Sequence, residues 1–195
     1  MPYLTSRVLV RPLATGLVVG IVLGLGFLGV ASPARSAPEL AADPSSKAAV
    51  IQAWIDARNR SDEDAAAALL ADNVFYIGNP NAGCNPQVPC YDRASVQQSN
   101  SLSDAASANH CYTMVEVHVA GNVVTGRADI RSDPTRNRGI ERTITAFMAE
   151  VVDGKVAKIV QFNDTGDSQT ALSQAIGTGT APPGTPLPTP DPPCA

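Results

Sequence analysis

Arg127 and Asp129 stand two residues apart in Val123–Arg131, a stretch that reads as a strand, so both side chains leave the same face. A third charged residue, Asp164, closes the last strand-like run. An arginine and two carboxylates that converge in a small pocket form an acid–base device. One carboxyl gives a proton, the other takes one from water, and the guanidinium fork aligns both. Burial raises a carboxyl pKa and a neighbouring arginine lowers it, so unequal exposure would separate the two roles. The same residues on a wet surface are solvated ion pairs worth little. Local alternation favours that plainer reading: Val124, Gly126, Ala128 and Ile130 are apolar, while Thr125, Arg127, Asp129 and Arg131 fill the opposite face. Both readings are open at the level of sequence.

The elements that must position these residues follow from pattern. Asp43-Pro44 opens a helix, with Asp43 as its cap and Pro44 in its first turn, and Val50, Ile51, Trp54 and Ile55 give it one apolar stripe. Asn59-Arg60-Ser61 interrupts it. Ser61, followed by Asp62, Glu63 and Asp64, starts a second helix through Leu70. Asn73–Ile77 reads as a short strand ended by Gly78-Asn79-Pro80, and a modest helix follows over about Arg93–Asn100. From Cys111 the texture is strand: Cys111–Val119, a turn at Ala120-Gly121-Asn122, Val123–Arg131, a polar loop at Ser132–Gly139, and Ile140–Val151. Asp153-Gly154 is a hairpin turn into Val156–Asn163, and Asp167 caps a last short helix to about Ile176. Helices, one strand, a helix and a four-stranded meander make an α+β fold. A bent sheet of that kind, wrapped by helices from its own N-terminal half, forms a cone with a pocket at one end. His110 and His118 lie an even number apart and read as strand-face residues, and neither has metal-ligand spacing to the cysteines.

The chain has 195 residues, a net charge of −4 and 44% hydrophobic residues. That weak acidic balance excludes a phosphate-tracking nucleic-acid binder. Arg7 and Arg11 precede an apolar run, Leu13–Val30, and then the small residues of Ala31–Ala37. This is the order of an export signal over residues 1–34, cleaved after Ala31 or Ala34. The run is also just long enough to act as an uncleaved membrane anchor. Either way the expected location is secreted or cell envelope, with a linker at 35–42, a folded domain at 43–176 and a Pro/Gly/Thr-rich extended or disordered tail at 177–195. In that compartment a disulfide is the default state of the four cysteines. Cys84 and Cys90 bracket a turn-rich loop, which leaves Cys111 to Cys194.

The element order, together with Ile51-Gln52-Ala53-Trp54-Ile55-Asp56-Ala57-Arg58-Asn59, Leu70-Ala71-Asp72-Asn73-Val74-Phe75-Tyr76 and Asp153-Gly154-Lys155-Val156 running into Phe162-Asn163-Asp164, resembles the nuclear transport factor 2-like superfamily over about Ser46–Ile176. That superfamily includes ketosteroid isomerases, SnoaL-like cyclases and limonene epoxide hydrolases. The isomerase pattern of a helix Tyr, an Asp base after the first strand and a protonated Asp on a later strand falls here on Trp54, Gly78 and Ala146, so that proton shuttle is not expected. The epoxide hydrolase pattern is matched by Arg127-Ala128-Asp129, Asp164 and Tyr76, with Gly78 in place of a water-holding Asn.

This resemblance implies that Asp164 with Tyr76 activates water, that Asp129 protonates the leaving oxygen of an epoxide and that Arg127 orients the pair. Trp54, Phe75, Phe147 and Phe162 would wall a small apolar substrate. No metal or organic cofactor is required. Homodimerisation through the open sheet face is implied as well. The expected geometry is one concave pocket in which Arg127 bridges Asp129 and Asp164. The competing expectation is a pocketed binding or assembly module of the cell envelope with no chemistry.

Overall fold

The computed structural model describes residues 44–79 and 82–188. The expected export signal, linker and Asp43 cap, and Cys194, lie outside those residues. Ten elements follow in order: α1 (Pro44–Asn59), α2 (Glu63–Ala68), β1 (Leu70–Ile77), α3 (Arg93–Ala106), β2 (Cys111–Ala120), β3 (Val123–Arg131), α4 (Asp133–Arg136), β4 (Thr143–Val152), β5 (Lys155–Asn163) and α5 (Ser168–Gly177). The strands form one mixed sheet in the order β1-β5-β4-β3-β2, with β1 parallel to β5 and the other pairs antiparallel. This is the expected α+β arrangement. No helix among the described residues is long and apolar enough to cross a membrane.

Strand alternation assigns every sheet residue to one of two faces. Val124, Phe147, Ala149, Val151, Val156, Ile159 and Tyr76 join Ile51, Trp54 and Ile55 of α1 and Val96 of α3 in one buried cluster. The helices therefore cover this inner face. The opposite face carries Arg127, Asp129, Ala146, Met148 and Phe162, and α5 crosses part of it at β4. There the amide of the buried Ile144 donates to Thr170 Oγ1 at 2.7 Å. Gly126 marks the tightest point of the sheet, because a Cβ there would lie 2.3 Å from the Glu116 carbonyl oxygen and 2.7 Å from the Phe147 ring.

Several boundaries differ from the sequence reading, each for a local reason. β1 begins at Leu70 rather than Asn73, because the fully buried Leu70 pairs with Val156 before a bulge that ends at Phe75. Asp62, not Ser61, caps α2, accepting from the Ala65 amide at 3.0 Å, while Ser61 takes the left-handed turn at φ 54°. α3 runs on to Ala106, since its buried face (Val96, Ser99, Asn100, Asp104) is mostly polar and shows no apolar stripe. In β2 a bulge between Met114 and Glu116 breaks the alternation. His110, which precedes the strand, is consequently buried, while His118 is exposed beside Glu116.

The Ser132–Gly139 segment is not a free solvated loop. It holds the single turn of α4, and the tail docks along it: the Gly184 and Leu187 amides donate to the Arg138 and Arg136 carbonyls at 2.8 and 2.9 Å. Gly139, at φ 79°, allows this approach, since a Cβ there would meet Gly184 at 2.9 Å. Residues 182–188 thus have no regular secondary structure but are bonded to the domain through Gly184 and Leu187. Cys84 and Cys90 form the expected disulfide, with Cα atoms 5.3 Å apart. Cys111 is also disulfide-bonded, and no described cysteine is free.

Two aspartates define an acid sensitivity. Asp167 accepts from the Thr170 amide at 2.9 Å, and Asp92 accepts from the Ser95 amide at 2.8 Å. These bonds hold both carboxyls below the usual carboxylate range. A lowered folded pKa contributes stability that is present above the unfolded value and is lost as pH falls through the folded one. Urea midpoints should therefore fall as pH drops below the usual carboxylate range. Asp167→Asn, which keeps a capping oxygen but cannot titrate, should flatten part of that acid limb; an unchanged limb would contradict the assignment.

Candidate functional site

The inner sheet face and the helices enclose a cavity in two parts. The mouth, about 480 Å³, is rimmed by Asn79, Asn100, Ser103, Ser107, Thr135, Thr143 and Asn163, with Tyr76 in its wall. A narrow apolar recess of about 20 Å³ continues inward between Ile51, Trp54, Ile55, Ala128, Phe147 and Ile159. Arg58, Tyr112, Ile130 and Gln161 line both parts and so mark the junction.

Arg58 is the unusual residue there. It extends the α1 stripe (Ile51, Trp54, Ile55) by one helical step, so a cation points where the pattern demands an apolar side chain. Its side chain is 5% exposed and pairs with Asp104 of α3, Nη2 to Oδ1 at 2.5 Å and Nε to Oδ2 at 3.3 Å. Nη2 also donates to Tyr112 Oη at 3.0 Å, and Tyr112 donates on to Asp104 at 3.3 Å. The guanidinium carbon lies 5.2 Å from the centre of the Trp54 ring and 4.6 Å from that of Tyr112, close enough for cation–π attraction to both. Behind the pair, His110 sets Nε2 3.0 Å from the Arg58 carbonyl oxygen and Nδ1 3.2 Å from that of Ser107. Asn59 brackets Tyr112, donating to its carbonyl and accepting from its amide, both at 2.8 Å.

The electrostatics keep this junction in one protonation state. Burial opposes the charge of Arg58, but Tyr112, Tyr76 and Asp104 outweigh it and hold the guanidinium pKa above its usual value. Burial pushes the Tyr112 phenol up to about 12, against the pull of Arg58, and raises the Tyr76 phenol as well. Both tyrosines are therefore neutral hydroxyl donors near pH 7, and Tyr76 gives its proton to Gln161 Oε1 at 3.0 Å. No Asp, Glu, His, Cys or Lys is among the lining residues of either part of the cavity. Among the described residues no group of three or more His, Cys, Asp or Glu could hold a metal ion.

The expected Arg127–Asp129–Asp164 arrangement is not assembled in this cavity. None of the three lines it, and Tyr76 does so without them. Arg127 does reach Asp164, at 2.6 Å, but on the outer face, where the two side chains are 41% and 27% exposed. Asp129 is buried and meets Arg131 and Arg142, each at 3.3 Å, instead of Arg127. Arg142 also approaches Asp167 at 3.5 Å, tying this cluster to the start of α5.

Alternation is the cause. Ala128 and Ile130 face the cavity, so their neighbours on β3 cannot. The aromatic residues divide in the same way. Trp54 and Phe147 wall the recess, whereas Phe75, next to Tyr76, packs on Tyr91 and under Lys158, and Phe162, next to Gln161, is exposed. Sequence reasoning missed Arg58 and Asp104. The stripe spacing carried a signal for the first, and nothing in the pattern of α3 marked the second.

An outer-face role for Asp129 has a measurable consequence. Asp129→Asn should cost about 1 kcal/mol of stability, since the lost bonds are charged but long and their arginines are partly exposed. The cavity should be untouched. Chemical denaturation checks the first point, and unchanged amide shifts of the cavity residues check the second.

No protein-family model and no curated protein sequence matches the chain. Solved structures do match its shape. IdmH, a polyketide-cyclase-like protein of Streptomyces antibioticus, superposes with a TM-score of 0.54 at 17% identity, covering 66% of this chain and 98% of its own. An LEH-like epoxide hydrolase of M. tuberculosis gives 0.51 at 13% identity, covering 70% and 98%. A ketosteroid-isomerase-like protein of Kribbella flavida gives 0.50 at 22% identity, covering 63% and 80%. At these identities the likeness concerns the fold alone. Sheet order, helix placement and these superpositions together establish that the chain carries the nuclear transport factor 2-like fold.

Proposed function

We propose that this domain binds a small molecule in the mouth of the cavity, with an apolar part against the residues that line the recess, and that it does so without acid–base chemistry. The observation that carries this reading is the lining. The described cavity residues are aliphatic, aromatic, hydroxyl and amide groups, and their ionisable members, Arg58, Tyr76 and Tyr112, are held in their proton-bearing forms. A general base needs a pKa near working pH and a free lone pair aimed at substrate, and these groups provide neither. The mouth volume falls within the range of ordinary small-molecule sites. Hydrolase chemistry at Arg127, Asp129 and Asp164 has no support in this arrangement, because the cavity and the three charges lie on opposite faces of the sheet.

Two finer points belong to the same proposal. Export is supported by the Cys84–Cys90 disulfide, which fits an oxidising compartment. A homodimer through the outer face is supported by the exposed Met148 of β4 and Phe162 of β5, which lie on the same sheet face and leave apolar surface in water.

Trp54 is the chain's single tryptophan and stands in the recess wall, so its fluorescence reports on this site alone. Titration with the neutral apolar probe N-phenyl-1-naphthylamine should give saturable energy transfer from Trp54. Ala128→Leu, which fills the recess, should weaken binding by at least about tenfold while costing about 1–3 kcal/mol of stability from overpacking. Asp129→Asn should bind as the parent does. Non-saturable transfer, or equal loss in both variants, would overturn the reading.

A further inference from the structure

We infer that the ligand of the mouth is an uncharged molecule bearing several hydroxyl groups, a sugar ring on an apolar substituent, held by the side-chain amides of Asn100 and Asn163. The inference rests on the binding reading above and adds the chemical class. Two observations carry it.

The first is an open amide in a closed wall. The buried face of α3 carries three polar side chains, Ser99, Asn100 and Asp104. Ser99 accepts from the Cys84 amide at 2.9 Å, and Asp104 is paired with Arg58. Asn100 is 3% exposed, its side chain bonds no described residue, and both its polar atoms keep contact with solvent. It lines the mouth, so that contact is made there. An amide offers a donor and an acceptor side by side. Water satisfies both in the free protein, and a ligand that displaces this water has to replace both bonds.

The second is where further open groups stand. Thr143 at the start of β4 and Asn163 at the end of β5 line the same mouth from the sheet, and Ser103 joins Asn100 from α3. No described residue bonds these three side chains. Donors and acceptors therefore border the mouth from both the sheet wall and the helix wall.

Their placement selects the class. A charged ligand would lack a counter-charge, because the lining holds no carboxylate and its arginine is already paired with Asp104. A lactam or nucleobase carries its donors and acceptors on one edge and would satisfy one wall alone. A ring with hydroxyl groups around its perimeter answers both walls, since each hydroxyl donates and accepts. The apolar substituent then lies against Ile130, where mouth and recess meet.

The test uses the folded wild-type protein and three probes with one hexyl chain. Hexyl β-D-glucopyranoside carries the hydroxyls, 2-(hexyloxy)tetrahydropyran keeps the ring without them, and 1-hexyluracil holds its polar groups on one edge. Calorimetry should show the glucoside binding about tenfold tighter than either other probe, the worth of one to two net hydrogen bonds. In the ¹⁵N-labelled protein the side-chain NH₂ pair of Asn100, assigned through its backbone, should shift with the glucoside. Asn100→Leu should cut glucoside affinity about tenfold and leave the tetrahydropyran unchanged. Asn163→Ala should cut glucoside affinity about three- to tenfold with the same selectivity.

Equal binding of glucoside and tetrahydropyran, or an Asn100 pair that stays in place, overturns the hydroxyl class and leaves the cavity reading standing. So does a uracil that binds more tightly than the glucoside, or an unchanged glucoside affinity in both variants. Saturable binding by none of the three overturns the cavity reading, and the hydroxyl class with it. Should Asn100→Leu fail to fold, the ranking on wild type and on Asn163→Ala decides alone.

Discussion

Arg58 places a cation where helix α1 meets the core, and the pairing of that cation with Asp104 is the constraint on which the site depends. A guanidinium this buried cannot stand alone, because the cost of removing its hydration has to be offset by a partner of opposite charge in good geometry. Asp104 supplies it from α3, Tyr112 adds its hydroxyl from β2, and the Trp54 and Tyr112 rings lie beside the charge. One ionic contact therefore joins two helices and an edge strand around the junction of the cavity. It also fixes what that junction offers: donors on a neutral pair, with no titratable base. A hydrophobic pair of similar volume would pack as well or better, so the pair is better understood through specificity than through stability.

The rest of the site follows from the two-residue period of the sheet. On β3 the small and apolar residues Val124, Gly126, Ala128 and Ile130 face the helices, and Arg127 and Asp129 face away. Both charged residues then find ordinary partners on the outer face: Asp164 for Arg127, and Arg131 with Arg142 for Asp129. On that outer face the Arg127–Asp164 pair links β3 to the end of β5, and Arg142 bridges Asp129 to Asp167 at the start of α5.

How far the chain could be read in advance divides along the same physical lines. Elements whose burial is apolar and periodic were legible: α1 from Ile51, Trp54 and Ile55, the β4–β5 hairpin from Asp153-Gly154, and α5 from the Asp167 cap. Alternation on β3 had assigned the faces correctly, and only the resemblance to a catalytic pattern argued otherwise. Arg58 was within reach as the odd member of a stripe. Asp104 was not, because the buried face of α3 is polar and its last turn lies past the point where propensity ends the helix. The bulge at Val115 was equally hidden, and it decides that His110 turns inward while His118 faces solvent. The docking of the tail depends on two glycines meeting, Gly139 and Gly184, a coincidence in space with no local trace in sequence.

The central claim is that Arg58 and Asp104 act as one buried unit at the base of a binding cavity. A double-mutant cycle over Arg58→Met, Asp104→Leu and the pair, followed by urea denaturation, tests it most directly. Each single substitution strands a charge or a charge partner and should cost about 3–5 kcal/mol, while the double variant, with an apolar contact in place of the ion pair, should recover most of that loss. A coupling of several kcal/mol is the predicted result. Single effects that simply add in the double variant would show that the two residues do not depend on each other, and would contradict the account.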